Sequence, residues 1–182
     1  YLFKPLTTTL IILTAWQISR PVSPFYQNAI LAGLLFSLAG DVFLMLPTDR
    51  FIAGLVSFLI AHLCYIGAFT SRSGFQFTPL LLIPFLIYGA LMLRLLWPYV
   101  GSMQLPVGIY MAAILMMGWQ AAEQWQQTEQ SGAQLALVGA LLFIISDSTL
   151  ALDHFRKPFK MASWVILSTY YMAQWLIALS IR

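Results

Sequence analysis

Two carboxylates set into apolar sequence are the residues of this chain best placed to do chemistry. Asp41 lies in Leu31-Ala-Gly-Leu-Leu-Phe-Ser-Leu-Ala-Gly-Asp41-Val-Phe-Leu44-Met-Leu46. A near copy, Leu137-Val-Gly-Ala-Leu-Leu-Phe-Ile-Ile-Ser-Asp147-Ser-Thr-Leu150-Ala-Leu152, follows 106 residues later. Leu31 then matches Leu137, Gly33 matches Gly139, Leu35 matches Leu141, Leu44 matches Leu150 and Leu46 matches Leu152. An acid at the centre of a membrane span costs about 2.5–3.5 kcal/mol and faces the bundle interior or a wet cavity. Two at matched places are the parts of a shared site. Two carboxyls brought together in a low dielectric do not both stay ionised, so one keeps its proton. A paired general acid and base needs that state. The alternative for each acid is a structural hydrogen bond to a neighbouring helix.

The elements that must position these acids follow from composition. Of 182 residues, 60% are hydrophobic and 8% charged, against about 25% charged in a water-soluble domain. Mean hydropathy is +0.83. The apolar runs are continuous and lack the alternation of a membrane barrel, so the spans are helices, which satisfy their own backbone in hydrocarbon. The expected fold is all-α: a polytopic transmembrane bundle, one domain over residues 1–182, with a weak internal parallel repeat.

Seven spans are expected. They are Pro5–Ser19, Gln27–Leu46 (ended by Pro47), Phe51–Thr70, Pro79–Trp97 with a kink at Pro84, Leu105–Ala122, Ala133–Leu152 and Met161–Ser180. Alternate loops fall on alternate sides of the membrane. One side collects Lys4, Arg50, Arg94, Arg156, Lys157 and Lys160. The other holds Arg20, Arg72 and Arg182, with Glu123 and Glu129. The cation excess puts Tyr1, the loop Asp153–Lys160 and the acid pair toward the cytoplasm. Arg94 snorkels outward from its span. Trp16, Tyr26, Trp97, Tyr99, Trp125 and Trp175 sit near span ends, as interfacial aromatics do. Each acid stands about five residues from the end of its span, or roughly 8 Å inside.

The net charge of +3 reflects these loop cations. No basic run is long enough to bind nucleic acid. Cys64 is the single cysteine, so neither an internal disulfide nor a cysteine metal site is expected. With two histidines, a three-histidine zinc site is not available either.

Other polar residues admit two readings each. His62 and Tyr65, one turn apart in the third span, orient an acid or move a proton; alternatively, His62 bonds to a helix carbonyl or to Tyr65. His154 reads as solvated. Ser146 and Ser148 flank Asp147 without the glycine elbow of a serine nucleophile, which makes them its expected hydrogen-bond partners and Asp147 the expected ionised acid. Tyr170, Tyr171 and Gln174 form a polar stripe on the last span, either the wall of a polar cavity or a link between helices. Gly33, Ser37 and Gly40 let a neighbouring helix approach closely. Lys4, Arg50, Arg156 and Lys157 set topology or bind a lipid phosphate.

Several motifs together resemble the YhhN family of membrane proteins, which includes lysoplasmalogenases. They are Lys4-Pro5 opening a span, Leu-x-x-Gly-Asp41-x-x-Leu44, Phe58-Leu-Ile-Ala-His62-x-x-Tyr65 and Phe143-Ile-Ile-Ser146-Asp147-Ser-x-Leu150. The resemblance covers essentially the whole chain. It implies eight spans, the missing one before Tyr1, in a bacterial inner membrane or an endoplasmic reticulum. It makes Asp41 and Asp147 the catalytic pair, with supporting roles for His62, Tyr65 and Lys4.

The implied reaction is hydrolysis of the vinyl ether of a lysoplasmalogen, or of a related ether lysolipid, to a fatty aldehyde and a glycerophosphoethanolamine or glycerophosphocholine. No metal or organic cofactor is needed. One acid protonates the alkene, and the other carboxylate stabilises the cation and activates water, by analogy with glycosidases. The tail lies among the helices and the head group meets the basic face. A proton-coupled transporter of a small molecule or lipid is the alternative that intramembrane acids and a repeat also suit.

Overall fold

The computed structural model describes residues 3–46 and 50–182. Tyr1 and Pro47, to which the sequence assigns a side of the membrane and a span end, lie outside the described residues. The described residues form seven α-helices: α1 (Phe3–Trp16), α2 (Pro24–Met45), α3 (Phe51–Ser73), α4 (Pro79–Leu96), α5 (Gln104–Thr128), α6 (Ser131–Ala151) and α7 (Ala162–Leu179). Six are long and apolar enough to cross a membrane. The exception is α1, whose 14 residues extend about 21 Å against a hydrocarbon thickness of about 30 Å.

Boundaries shift where local chemistry overrides hydropathy. Helix α2 begins early because Ser23 Oγ accepts from Tyr26 N at 3.0 Å and Pro24 takes the first helical position, where a missing N–H costs nothing. Helix α4 continues through Pro84. Helix α5 runs past Ala122 to Thr128, since its terminal Glu and Gln residues are good helix formers and Glu123 and Gln124 are buried. After α6 a wider π turn covers Leu152–Arg156, so Asp153 and His154 belong to an extension of the helix instead of a free loop. His154 is exposed, yet its ring stacks on Phe51 at 3.9 Å.

Six helices close a ring in the order α1, α2, α3, α5, α6, α7 and back to α1, with α4 outside against α5 and the π turn. The most extensive packing is of α2 on α3 and of α6 on α7. The internal repeat is therefore a pair of helical hairpins, and matched glycines make both. A Cβ on Gly33 would overlap the Tyr65 ring of α3. One on Gly139 would lie 2.9 Å from the Ala173 carbonyl oxygen and 3.2 Å from Ile177 N of α7. Gly40 meets the Phe58 ring in the same way, at 2.6 Å, as the small-residue flank of α2 implies.

Trp16, Trp97, Tyr99, Trp125 and Trp175 are exposed, as interfacial aromatics are, and Arg94 is exposed too. Tyr26 is not one of that set. It is fully buried, with its hydroxyl 2.9 Å from Ser180 Oγ, because a position three residues into α2 can turn inward as readily as out.

The glycine packing is testable. At Gly139 the neighbour is backbone, which cannot rotate away. Gly139→Val therefore costs about 1–3 kcal/mol in thermal unfolding in detergent, whereas Val138→Ala on the exposed side of the same turn changes little. Equal melting temperatures for the two variants would show that α6 and α7 are not packed at this distance.

Candidate active site

Asp41 sits on α2 and is 7% exposed. Two helices distant in sequence deliver its hydrogen bonds. Thr8 Oγ1 of α1 donates to Asp41 Oδ2 at 2.8 Å, and the Tyr170 hydroxyl of α7 donates to the same oxygen at 2.9 Å. Asp147, on α6, accepts from the Tyr110 hydroxyl of α5. Both carboxyls line one cavity of ≈ 260 Å³, together with Lys4, Ser146, Asp153 and Tyr170. The ring of helices thus brings together the two acids of the repeat. A carboxylate in a bundle interior is retained only where donors compensate for its lost water, and here three hydroxyls do so.

Of the other residues singled out from sequence, Lys4, Ser146 and Tyr170 reach this cavity. The serines are not partners of Asp147. Ser146 Oγ donates to the Ile166 carbonyl at 3.1 Å, and Ser148 Oγ accepts from Tyr88 at 2.6 Å. Adjacent positions on a helix point about 100° apart, so flanking residues do not face what Asp147 faces. The hydrogen-bond balance consequently runs opposite to that expected, with two donors on Asp41 and one on Asp147.

His62 is fully buried, and among the described residues neither ring nitrogen has a hydrogen-bond partner, neither a helix carbonyl nor Tyr65. Its ring packs edge-on against Tyr110 at 5.2 Å and Phe143 at 4.9 Å, so it braces the tyrosine that holds Asp147. The Tyr65 hydroxyl donates to Gln174 Oε1 at 2.7 Å, joining α3 to α7. Tyr171 packs on Tyr170 at 5.2 Å, and its hydroxyl has no hydrogen-bond partner among the described residues.

Sequence reasoning misses Thr8, Tyr110 and Asp153. A lone hydroxyl in an apolar run, as at Tyr110, is the available signal. Thr8 carries none, since Thr7 and Thr9 beside it bond to carbonyls of their own helix. A further carboxyl, this one fully buried, stands where the sequence reads as a loop. Glu123 is fully buried and accepts from Thr78 N at 2.6 Å, Thr78 Oγ1 at 2.9 Å and Trp119 Nε1 at 2.9 Å. It caps the start of α4, close to the opposite end of α5 from Tyr110.

Residues 1–181 match the YhhN family. The membrane protein YhhN of Escherichia coli O157:H7 is 32% identical over all of this chain and 86% of its own length. Lysoplasmalogenase TMEM86A of Bos taurus is 39% identical, covering 83% of this chain and 64% of that protein. Human lysoplasmalogenase TMEM86B is 38% identical over 85% and 64%. This chain therefore spans a little under two thirds of the length of these two mammalian relatives. No solved structure matches.

The role of Glu123 separates it from the acid pair. Removing its carboxyl strands three donors, so Glu123→Ala lowers stability by about 2–4 kcal/mol in thermal or denaturant unfolding. Glu123→Gln, which keeps an acceptor, loses less. Unchanged unfolding of Glu123→Ala would contradict the cap.

Proposed function

The chain belongs to the YhhN family, and from that premise we propose that it is a membrane-embedded lysoplasmalogenase in which Asp41 and Asp147 are the catalytic pair. Relatives that carry that enzyme's name support a hydrolase at family level. The observation that carries the residue-level reading is the single cavity lined by both acids, each held by hydroxyl donors from other helices.

A vinyl ether, R–CH=CH–O–R′, resists direct attack by a nucleophile and yields to a proton. Asp147, with the single donor, is the acid. Its proton goes to the alkene carbon on the chain side, the alkene electrons form the new C–H bond, and the oxygen shares the resulting positive charge. Asp41, whose Oδ2 accepts two hydrogen bonds, is held as the carboxylate. Such bonds favour the charged form, which stabilises the oxocarbenium ion. Asp41 then takes a proton from the water that adds to it, giving a hemiacetal. The hemiacetal hydroxyl returns a proton to Asp147 as Asp41 protonates the departing ether oxygen. The C–O bond breaks to aldehyde and alcohol, and both acids regain their starting states. Lys4 at the cavity suits a phosphate-bearing head group. The acid end of the bundle faces the cytoplasm in this reading.

The test is aldehyde release by the purified protein from a lysoplasmalogen, beside the matching alkyl-ether and acyl lysolipids, with and without chelator. Aldehyde comes from the vinyl ether alone and survives the chelator. Asp41→Asn and Asp147→Asn each lower the rate by at least about 100-fold while eluting and unfolding as folded proteins. Near-normal turnover by either variant would sink the paired-acid mechanism.

A further inference from the structure

A second, apolar cavity of ≈ 60 Å³ lies between α3, α5 and α6 and shares Leu44, Phe58, Asp147 and Leu150 with the acid cavity. We propose that this slot receives the carbons of an unbranched hydrocarbon chain next to the reacting bond, with Leu115 and Ile144 as its depth-setting floor. The proposal rests on the hydrolase reading, which it extends to the site that selects the chain.

Three features support that occupant. First, among the described residues of the wall, Asp147 apart, the hydroxyls that could hold a head group are already engaged. The Tyr88 hydroxyl is engaged with Ser148 at 2.6 Å, and the Tyr110 hydroxyl with Asp147. What faces the slot otherwise is Leu, Ile, Val, Met and Phe, with Ala151, so transfer of methylenes into it is favourable. Second, Asp147 borders both cavities. A lipid with its chain in the slot and its polar end beside Lys4 and Asp41 crosses Asp147 where chain meets ether, and that chain-side alkene carbon is the atom to be protonated.

Third, the floor is set back by two glycines on other helices. Leu115 recedes into room left by Gly89 of α4, where a Cβ would lie 2.5 Å from Leu115 Cδ1. Ile144 recedes in the same way against Gly118 of α5, where a Cβ would lie 2.7 Å from Ile144 Cδ1. Both glycines are buried. At Gly89 the atom met is the far end of a side chain, so an added methyl would turn Leu115 toward the slot and leave the backbone in place; at Gly118 a Cβ would also lie 2.7 Å from the Phe85 ring. The volume suits the first carbons beyond the double bond. A methyl branch there meets Leu115 or Ile144, and selectivity against one misplaced methyl is about 10-fold or more in such a pocket.

The experiment has a binding arm and a kinetic arm on the same purified protein in detergent micelles. In the first, a single-chain vinyl-ether lysolipid carrying a diazirine near the ether end of its chain is photolysed and the adducts are mapped on α5. Slot binding places them on Met111, Ile114 and Leu115. Adducts confined to Leu105 and Ile109, which are 73% and 51% exposed on the outer side of the same helix, overturn the proposal. In the second, kcat/KM is compared for straight-chain substrate and one methyl-branched beside the double bond. Leu115→Ala raises the branched-to-straight ratio by about 10-fold. Gly89→Ala raises KM for the straight chain by about 4-fold, the loss of one methylene's burial, with kcat little changed. A ratio and KM that stay fixed in both variants, with straight-chain turnover intact, also overturn it. The two arms keep the claims apart. Slot adducts without aldehyde release uphold the slot and refute the hydrolase reading, whereas aldehyde release with adducts only outside refutes the slot alone.

Discussion

Everything in this bundle is arranged around the cost of keeping two carboxyls in an apolar interior. That cost is met by hydroxyls brought from helices far apart in sequence: Thr8 of α1 and Tyr170 of α7 for Asp41, Tyr110 of α5 for Asp147. The constraint explains the closure of the ring. Helix α7 must lie against both α1 and α2 for Tyr170 to reach Asp41, and α5 must lie against α6 for Tyr110 to reach Asp147. If either pair of helices moved apart, a carboxyl would be left in hydrocarbon without its donors, which is far more costly than loosening a few apolar side chains.

Close packing makes those hydroxyls available at fixed positions. Gly33 and Gly139 set the two hairpins of the repeat at distances where Tyr65 lies on α2 and the α7 backbone lies on α6. Further bonds lock the same helices in register. Tyr65 to Gln174 ties α3 to α7, Ser146 to Ile166 ties α6 to α7, and Tyr88 to Ser148 ties the outlying α4 to α6. His62, with no hydrogen bond among the described residues, fills space beside Tyr110 and Phe143. Its value is as a bulky, buried ring that keeps Tyr110 on Asp147.

Fold class, helix number and the two acids are legible in the sequence because each is a strong local signal. A span is a long apolar run, and a lone carboxyl inside one is conspicuous. The repeat at Asp41 and Asp147 is legible for the same reason, and the structure adds that it corresponds to two packed hairpins. The partners of the acids are not legible. Hydroxyl residues are common in membrane helices and bond to their own backbone, as Thr7 and Thr9 do. Nothing in the sequence marks Thr8 as the one that turns inward. The flanking serines mislead because chain neighbours on a helix face different directions. Glu123 is hidden because acidic residues near the end of an apolar run read as a loop. Only the fold shows α4 starting against it.

In the proposed reaction a proton from one acid of the pair opens the vinyl ether and water attacks the resulting cation. Turnover in D₂O enriched with oxygen-18 tests it most directly. The expected products are an aldehyde with one deuteron on the carbon next to its carbonyl and an alcohol whose oxygen carries no label, since the bond broken is between that oxygen and the alkenyl carbon. Oxygen-18 in the alcohol, or an aldehyde without the deuteron, would contradict it and leave Asp41 and Asp147 with some other task.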